Sequence, residues 1–522
     1  MPEFAFSRLK SEHFLQIHQS MSDSTTTPNR NTQKWIGILF LALVLGLGVL
    51  YFTTASTAPP PQEQSAYLKP GQWIPESERS GHRRVIGLDP HRASYFMLPT
   101  LNGPAGADPK TYRDIQRQLY WLNFRFSHGR ILSKFQKDTE LYVAVPDSKS
   151  VTESLGGERD FFTEYLHDYN GWSNLEIRRR IRFFPTTFPL IWTQDAGEMM
   201  IRPEDKIATI YRGTSDYFGY LDFLKSLVQA YPDVFTVKEL PSEFSGEGGD
   251  LEVVWGPDHQ PALLLGRHRV LQYMKETRGK WDPQKPLTRA QIEEARAAFS
   301  KSYEGLPVYI VPEQALLEPS KGNNELFHLD MLVSIMDNHR NDRPDAFVAE
   351  FSSGPILDAM SGKPLSPGFV AKCRWEYEQT ALQLRKIGYD VYRLPFNDHP
   401  VRSPVNFGKF RDLATGKYMV MLAKFPAHIP DGKDPTAQTL LQYAVAQLDE
   451  DGKNWQEKGT EESLDIFQDS LRNIWRVMDE VESMPNPRFE ARAKVFRDAG
   501  YEVIEVPCYS WGAGGIHCQI LK

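Results

Sequence analysis

Cysteine is scarce in this chain of 522 residues, which has only Cys373, Cys508 and Cys518. Three cysteines in a chain of this length exclude the disulfide framework that holds small secreted domains together. A bridge between Cys373 and Cys508 is compatible with the sequence, although nothing in the sequence requires it. At least one thiol therefore remains free to act as a reactive group.

An excess of basic residues is also missing. The chain has 60 Lys and Arg against 67 Asp and Glu, a formal net charge of −7. It therefore lacks the basic footprint of nucleic-acid-binding proteins. The ligand spacings HExxH and CxxC are absent as well, so we predict neither a metal site nor a cofactor. Hydrophobic residues make up 41% of the chain, which is ample for a sizeable core.

One uninterrupted apolar run lies near the N-terminus, at residues 35–52 (WIGILFLALVLGLGVLYF). As a helix it would span roughly 27 Å, which is enough to cross the hydrocarbon core of a membrane. Arg30 and Lys34 precede the run, and the first charge after it is Glu63. The positive-inside rule predicts a single-pass anchor with the rest of the chain outside the cytoplasm, on the periplasmic or extracellular side. The alternative is a signal peptide cleaved after Ala55.

Composition divides the chain into segments of different character. The start of the chain is rich in Ser, Thr and Asn, and the stretch after the apolar run is rich in Pro, as extended tethers are. Thr288 and Gln291 form a capping-box pattern that predicts the start of a helix. The predicted layout is a cytoplasmic polar tail at 1–34, a transmembrane anchor at 35–52, a Pro-rich linker at 53–85 and a globular domain at 86–522 with helical insertions near 268–304 and 431–484.

A repeat emerges within the globular part. Residues 381–395 (ALQLRKIGYDVYRLP) align without a gap to residues 493–507 (AKVFRDAGYEVIEVP). Each copy has the pattern of an amphipathic helix ended by Gly, followed by a short buried strand stopped by Pro. Looser copies place strands at 177–184, 234–240 and 308–311. The five units end at Pro185, Pro241, Pro312, Pro395 and Pro507.

A recurring unit predicts modules that stack or close into a ring. A polar motif follows each Pro, in the order WTQDAG, GEGGD, FHLD, SPVNF and GAGGIHC. If the modules close around an axis, equivalent strand ends meet on one face, and the motifs bring a thiol, an imidazole and several carboxylates into one pocket. Those are the ingredients of nucleophilic catalysis on a cationic substrate. The side chains expected there are Asp195, Glu247, His328, Asp330, Asn406 and Cys518.

These motifs, in this order and with a Cys close to the end, resemble those of the guanidino-group-modifying enzymes of the pentein superfamily. The resemblance spans roughly residues 175–522. It implies an α/β fold, a five-bladed β/α propeller of repeated strand–helix modules, here preceded by the single transmembrane helix. The group includes agmatine deiminases, arginine deiminases, peptidylarginine deiminases and amidinotransferases. GGIHC is most similar to the agmatine deiminases, and EGGD and HLD are more similar to the arginine deiminases.

The resemblance implies a role for each catalytic side chain. Cys518 would attack the guanidinium carbon as a thiolate, which a bound cation helps to stabilise. His328 would pass protons, first to the departing ammonia or amine and then from the hydrolytic water. Glu247 would hold His328 in orientation, as the carboxylate does in other triads.

The substrate-binding residues follow from the same resemblance. Asp195 and Asp330 would grip the planar guanidinium through paired, charge-assisted hydrogen bonds. Two carboxylates close together are costly unless a cation lies between them, which itself selects for a guanidino substrate. Asn406 matches a polar position in the fourth module. Gly515, in the tight Gly-rich turn before Cys518, would lie beside the substrate.

Two positions depart from the pattern of the superfamily. Its members usually carry Arg directly before the first-motif Asp, where this chain has Gln194. They often carry Pro after the Gly of that motif, where this chain has Glu198. The loss of a cation at position 194 affects either the recognition of a substrate carboxylate or a local ion pair.

The resulting prediction is a thiol-dependent deiminase, a hydrolase that converts a guanidino group to a ureido group with release of ammonia through an amidino-cysteine intermediate. Its substrate would be a guanidino-containing small molecule or an arginine-containing peptide. One alternative is an amidinotransferase, in which an amine replaces water in the second half-reaction. A second is a non-catalytic envelope binding protein on the same scaffold. A protease or transglutaminase would not call for the additional carboxylates.

Overall fold

A computed structural model describes the chain between residues 73 and 508, with gaps. The described residues are 73–75, 83–87, 104, 107–125, 130–132, 134–135, 139–146, 158–187, 193–202, 205–213, 219–244, 248–279, 282, 285–323, 326, 328–337, 342–357, 363–411, 417–425 and 437–508. The predicted tail and anchor lie outside these residues. Across the described ranges, no helix has the length and apolar character needed to span a membrane.

The described residues form a mixed α/β fold built on five small β-sheets. The strands are β1 Ile74–Pro75, β2 Arg83–Gly87, β3 Glu140–Pro146, β4 Ile181–Thr186, β5 Glu198–Ile201, β6 Ala208–Gly213, β7 Phe235–Leu240, β8 Leu251–Trp255, β9 Pro261–Gly266, β10 Val308–Val311, β11 Val333–Met336, β12 Asp345–Phe351, β13 Asp390–Phe396, β14 Gly408–Arg411, β15 Tyr418–Lys424 and β16 Glu502–Pro507. They form sheets in the orders β2-β3-β4, β1-β5-β6-β7, β8-β9-β10, β11-β12-β13 and β14-β15-β16, numbered one to five here.

One topology recurs in these sheets. In each, the central strand pairs in parallel with the last strand. In sheets two to five the strand before the central one runs antiparallel to it. Sheet one differs, because β2 is parallel to β3. β1 and the start of β2 fall within the predicted linker 53–85, so folded structure begins before residue 86; β1 pairs with β5.

The five Pro-terminated units correspond to the five outer strands β4, β7, β10, β13 and β16. Pro185, Pro395 and Pro507 lie in the last two residues of their strands. Edge strands tolerate Pro because its missing N–H faces away from the ladder. The predicted strand at 177–184 starts too early, since residues 177–180 belong to a helix that Ser173 caps by accepting a hydrogen bond from Glu176 N.

Helices join the central and last strands of each sheet. The helices are α1 Pro109–Phe124, α2 Arg130–Leu132, α3 Glu158–Asp168, α4 Asn174–Arg180, α5 Tyr220–Ala230, α6 Arg267–Arg278, α7 Arg289–Ser302, α8 Glu313–Leu317, α9 Pro367–Ile387, α10 Ala437–Lys458, α11 Glu461–Ser483 and α12 Pro487–Asp498. The longest crossovers, α6–α7 and α10–α12, overlap the ranges predicted as helical insertions. The capping box of Thr288 and Gln291 is confirmed at the start of α7.

The aligned repeat forms equivalent structures in sheets four and five. Gly388 and Gly500 end α9 and α12 with φ of 122° and 89°, a region that favours glycine. The Tyr that follows each Gly is buried and donates a hydrogen bond to the preceding sheet. Tyr389 reaches the carbonyl oxygen of Trp255 at 2.9 Å, and Tyr501 reaches Oδ2 of Asp345 at 2.5 Å. Each repeat thus links its own sheet to the preceding sheet through a hydrogen bond.

Apolar clusters connect the sheets in a closed circuit. Each cluster contains buried side chains from adjacent sheets, and the last sheet shares one with the first. The pairs, in order, are Val85 with Ile210, Tyr211 with Val253, Val254 with Val333, Val348 with Val420, and Met421 with Val143.

The cysteines at 373 and 508 do not form the bridge that the sequence allowed. Both are buried, and they are not bonded to each other. Cys373 lies in α9, where Asn323 Nδ2 donates to its Sγ at 3.0 Å. Cys508 follows β16 and belongs to the cluster shared by sheets five and one. Because the two thiols lie in different cores, they cannot approach within bonding distance.

A His–Asp pair links sheet three to sheet four, at the end of the sheets opposite the polar motifs. His259, in the turn after β8, places Nδ1 2.6 Å from Oδ2 of Asp337, the residue after β11. The hydrogen bond to Asp337 raises the pKa of His259, burial opposes the rise, and the charge of Asp337 adds to it. The stabilisation is therefore complete below the unfolded-state pKa near 6.5 and is lost as the pH rises through the higher folded-state pKa.

We expect His259→Gln to destabilise the protein more at pH 6 than at pH 9. The difference should be about 1 kcal/mol, because a hydrogen bond to a charged group is involved and solvent screens part of it. Urea unfolding of the wild type and the variant across this pH range measures it. A loss of stability that stays constant over the range would show that protonated His259 contributes nothing.

Candidate active site

Four of the five polar motifs lie at the start of the strand that precedes the central one in sheets two to five, here called the first strand (β5, β8, β11 and β14). Short 3-10 turns carry three of them, Thr193–Ala196 before β5, Gly248–Asp250 before β8 and Leu329–Met331 before β11. Because the first strand runs antiparallel to the central one, this end corresponds to the carboxyl ends of the parallel strands. Ligands bind at that edge in many α/β folds.

The structure describes some of the predicted site residues and not others. The side chains of His328, Asp330 and Asn406 are described. Asp195 lies in the turn before β5, but its side chain is outside the described part. Glu247, Gly515 and Cys518 also lie outside it.

His328 packs against the second motif. Its side chain is 11% exposed, and Nδ1 lies 3.9 Å from Oδ1 of Asp330. The ring faces Gly249, where an added Cβ would come within 2.6 Å of Nδ1 and 3.1 Å of Cε1. Only glycine leaves room for the imidazole at this position. The imidazole ring therefore packs against the second motif, and Asp330 lies beside the ring in the third motif.

Asp330 and Asn406 join the third motif to the fourth. Both side chains are buried, and Asn406 Nδ2 donates a hydrogen bond of 2.6 Å to Asp330 Oδ2. Ser403 strengthens the same connection, since its hydroxyl donates to the carbonyl oxygen of Met331 at 2.9 Å. An amide donor of this kind orients a carboxylate without cancelling its charge, so Asp330 keeps its capacity to bind a cation.

The first motif meets the second at Gly248. A Cβ there would run into the carbonyl oxygen of Gln194, so the backbones of the two turns are in close contact. The side chain of Gln194 is fully buried, and its Nε2 donates to Oε1 of Glu198 at 2.8 Å. Oε2 of Glu198 accepts from Val253 N at 3.3 Å. The two departures from the superfamily pattern therefore bond to each other inside the protein.

Buried charged residues that the sequence reading missed lie in the first strands. Lys409 in β14 is 2.6 Å from Oε1 of Glu252 in β8 and donates to the carbonyl oxygen of Ile335 at 2.7 Å. Arg84 in β2 donates to the carbonyl oxygen of Lys409 at 3.5 Å. A signal for Glu252 was present in the sequence, because this charge interrupts a short strand that is otherwise apolar (LEVVW).

Asp250, the last residue of the second motif, was also missed. Its side chain is buried, and its Oδ2 accepts a hydrogen bond from the backbone N–H of Arg269 at 2.5 Å. Burial raises the pKa of Asp250 to about 7, while the charges of His328, Arg269 and Arg267 oppose that rise. Within the described ranges, no group of three or more His, Cys, Asp or Glu side chains is arranged to hold a metal ion.

Comparison with known proteins finds similarity at the level of structure. No protein-family model matches the chain, and no curated protein matches it. An agmatine deiminase from C. jejuni aligns with a TM-score of 0.42 and 13% identity over 87% of this chain and 98% of its own. A putative arginine deiminase from Porphyromonas gingivalis aligns with a TM-score of 0.45 and 14% identity, over 86% and 96%.

A third solved structure is DDAH from Pseudomonas aeruginosa, a mutant complexed with citrulline. It aligns with a TM-score of 0.28 and 14% identity over 73% of this chain and 98% of its own. The motifs predicted a resemblance to agmatine deiminases and arginine deiminases, and the solved structures that align with the chain include one named for each of these activities.

Proposed function

We propose that this protein is a thiol-dependent guanidine deiminase. The observation that carries the proposal is the meeting of His328, Asp330 and Asn406 with the Gly248–Asp250 turn, on the face where the polar motifs begin. An imidazole next to an oriented, buried carboxylate is suited to bind a planar cation and to move protons at it. The architecture we propose is the five-bladed β/α propeller of the penteins.

In the proposed reaction Cys518 attacks the guanidinium carbon as a thiolate, forming a C–S bond. His328 protonates one nitrogen, the C–N bond breaks, and ammonia leaves. The amidino-cysteine that remains is attacked by water, which gives a proton to His328. The C–S bond then breaks, which releases a ureido product and regenerates the thiolate.

The other predicted residues complete the proposed site. Asp330 and Asp195 bind the two edges of the guanidinium, and Asn406 orients Asp330. Glu247 orients His328, and Gly515 lies in the turn before Cys518. We further propose that residues 35–52 anchor the protein in a membrane, with the site outside the cytoplasm.

The test is turnover of guanidino compounds by the full-length protein in detergent. Agmatine, free arginine, and peptides with internal or C-terminal arginine are supplied separately, and ammonia and ureido product are measured. We expect one of them to be converted, and Cys518→Ala to lose at least about 10⁴-fold in kcat because the nucleophile is removed.

Cys508→Ala is the matched control, since this thiol is buried in the apolar cluster that sheets five and one share. It should retain activity. Conversion that survives in Cys518→Ala would overturn the mechanism. If none of the compounds is converted, the proposed deiminase activity is wrong. Transfer of the amidino group to an added amine would then identify an amidinotransferase.

A further inference from the structure

Asp250 ends the turn that holds the His328 ring. It is the last residue of the 3-10 turn Gly248–Asp250 and the residue directly before β8. Only 4% of its surface is exposed, and it takes no part in the proposed reaction as described above. A buried carboxyl group is costly unless its oxygens are bonded, so its partners show what the residue does.

Those partners are at the N-terminus of α6. The N-cap residue of this helix is Gly266, which has no side chain to cap it. Asp250 supplies the missing acceptor from the turn before β8, because its Oδ2 accepts the N–H of Arg269, the third residue of the helix. A carboxylate at this position satisfies an otherwise unbonded N–H and interacts favourably with the helix dipole.

The fit between Asp250 and α6 depends on Gly266. An added Cβ at position 266 would overlap Oδ1 of Asp250. Glycine therefore allows the carboxylate to lie directly against the start of the helix. The cap ties the second motif to α6, a rigid element that lies outside the site.

The same turn is coupled to His328 in two ways. The residue before Asp250 is Gly249, whose Cα lies against the imidazole ring. The charges of Asp250 and His328 also interact, in an environment that contains the guanidinium groups of Arg267 and Arg269 and the carboxylate of Asp330. A shift of the Asp250 side chain would thus alter both the position and the electrostatic surroundings of His328.

We propose that Asp250 is a positioning residue. By capping α6 it fixes the Gly248–Asp250 turn, and with that turn the ring of His328. It acts through His328 and does not touch the substrate. The inference rests on the proposed deiminase function for its kinetic consequences. Its structural basis stands on the cap and the ring contact.

The first test is Asp250→Asn, which keeps the shape and one acceptor oxygen but removes the charge. We expect kcat to fall about 10- to 100-fold, because a misplaced or mistuned proton-transfer group costs this much, with KM changed less than about threefold. The titration midpoint of His328, followed by NMR of labelled histidine, should move to lower pH, because the negative charge that Asp250 carries above its own pKa of about 7, and that favours the imidazolium, is gone.

Asp258→Asn is the matched control, since Asp258 is exposed in the turn at the opposite end of β8. It should change neither kcat nor the His328 midpoint. An unchanged His328 midpoint in Asp250→Asn, with activity lost only in proportion to folded protein, would overturn the proposal and make Asp250 an ordinary cap.

Gly266→Ala tests the same idea without changing any charge. The new methyl group should push the Asp250 carboxylate off the helix and lower kcat at least about 10-fold. Gly368→Ala, where nothing lies within 4 Å, is its control. Full kcat in folded Gly266→Ala would overturn the positioning role. If the wild type converts no guanidine, the proposed function fails, whereas the His328 titration still decides the coupling.

Discussion

Gly249→Ala is expected to lower kcat by at least about 100-fold while the protein remains folded. The added methyl carbon would lie 2.6 Å from Nδ1 of His328, so either the ring or the turn must move. The backbone at Gly249 is outside the left-handed region, so alanine adds no backbone strain and the effect comes from the ring contact alone. A displacement of about 1 Å at a proton-transfer group is sufficient for a loss of this size.

The measurement is kcat and KM on whichever guanidino compound the wild type converts, with thermal unfolding alongside. Gly368→Ala serves again as the control, since its Cβ would meet open space. Near-normal kcat in Gly249→Ala would contradict the assignment of His328 to proton transfer. The thermal scan shows whether the variant is still folded at the assay temperature. It therefore separates a loss of activity caused by unfolding from a loss caused by the displaced ring.

Arg267→Met is expected to reduce the free energy of unfolding by about 3 to 5 kcal/mol, the usual cost of removing one partner of a buried ion pair. Arg267 lies 2.6 Å from Oε1 of Glu376, and both side chains are buried. Arg267 also donates to the carbonyl oxygen of Asn323 at 2.5 Å, and Asn323 N donates to Glu376 at 3.1 Å. The substitution leaves a buried carboxylate without its cation.

The loss should depend on pH in a defined direction. Burial already raises the pKa of Glu376 to about 7 from an ordinary value of 4.5, against the opposing charge of Arg267. A folded-state pKa above the unfolded one means that the folded protein binds the proton more tightly, so stability falls as the pH rises through this window. Without Arg267 the pKa rises further, and the variant should lose more stability at pH 8 than at pH 5.

Urea unfolding at the two pH values measures the effect. Arg278→Met is the matched control, because Arg278 lies in the same helix and pairs with Glu294 on the exposed surface; its loss should stay below about 1 kcal/mol. The double variant Arg267→Met with Glu376→Leu should recover most of the stability, since an apolar pair can replace a buried ion pair. Equal losses in the single and double variants would contradict this account.

Features that depend on neighbouring residues along the chain could be predicted from the sequence. The capping box of Thr288 and Gln291 needs only four consecutive residues, and it is present. The glycines at 388 and 500 end their helices because no other residue adopts a positive φ at so little cost. The motifs could likewise be recognised, because each is a short run of residues whose chemistry is readable in isolation.

Features that depend on a partner far along the chain could not. Residues 177–180 run directly into β4 and were predicted as part of that strand, but the cap at Ser173 and packing against sheet one make them helical. The Cys373–Cys508 bridge was an open possibility that the separate cores exclude. Nothing near Asp250 in sequence indicates that it caps a helix beginning 17 residues later.

The α/β character, the recurring strands with their terminal prolines, and the chemical kind of each motif could be read from the amino-acid sequence, because they follow from local propensity and residue type. Which motifs meet depends on how the chain folds in three dimensions. Gly249 against His328, Asn406 on Asp330, and Gln194 bonded to Glu198 are contacts between or within turns whose positions depend on how the sheets pack. Such contacts arise from burial and from the need to satisfy buried polar atoms, and both are properties of the folded chain.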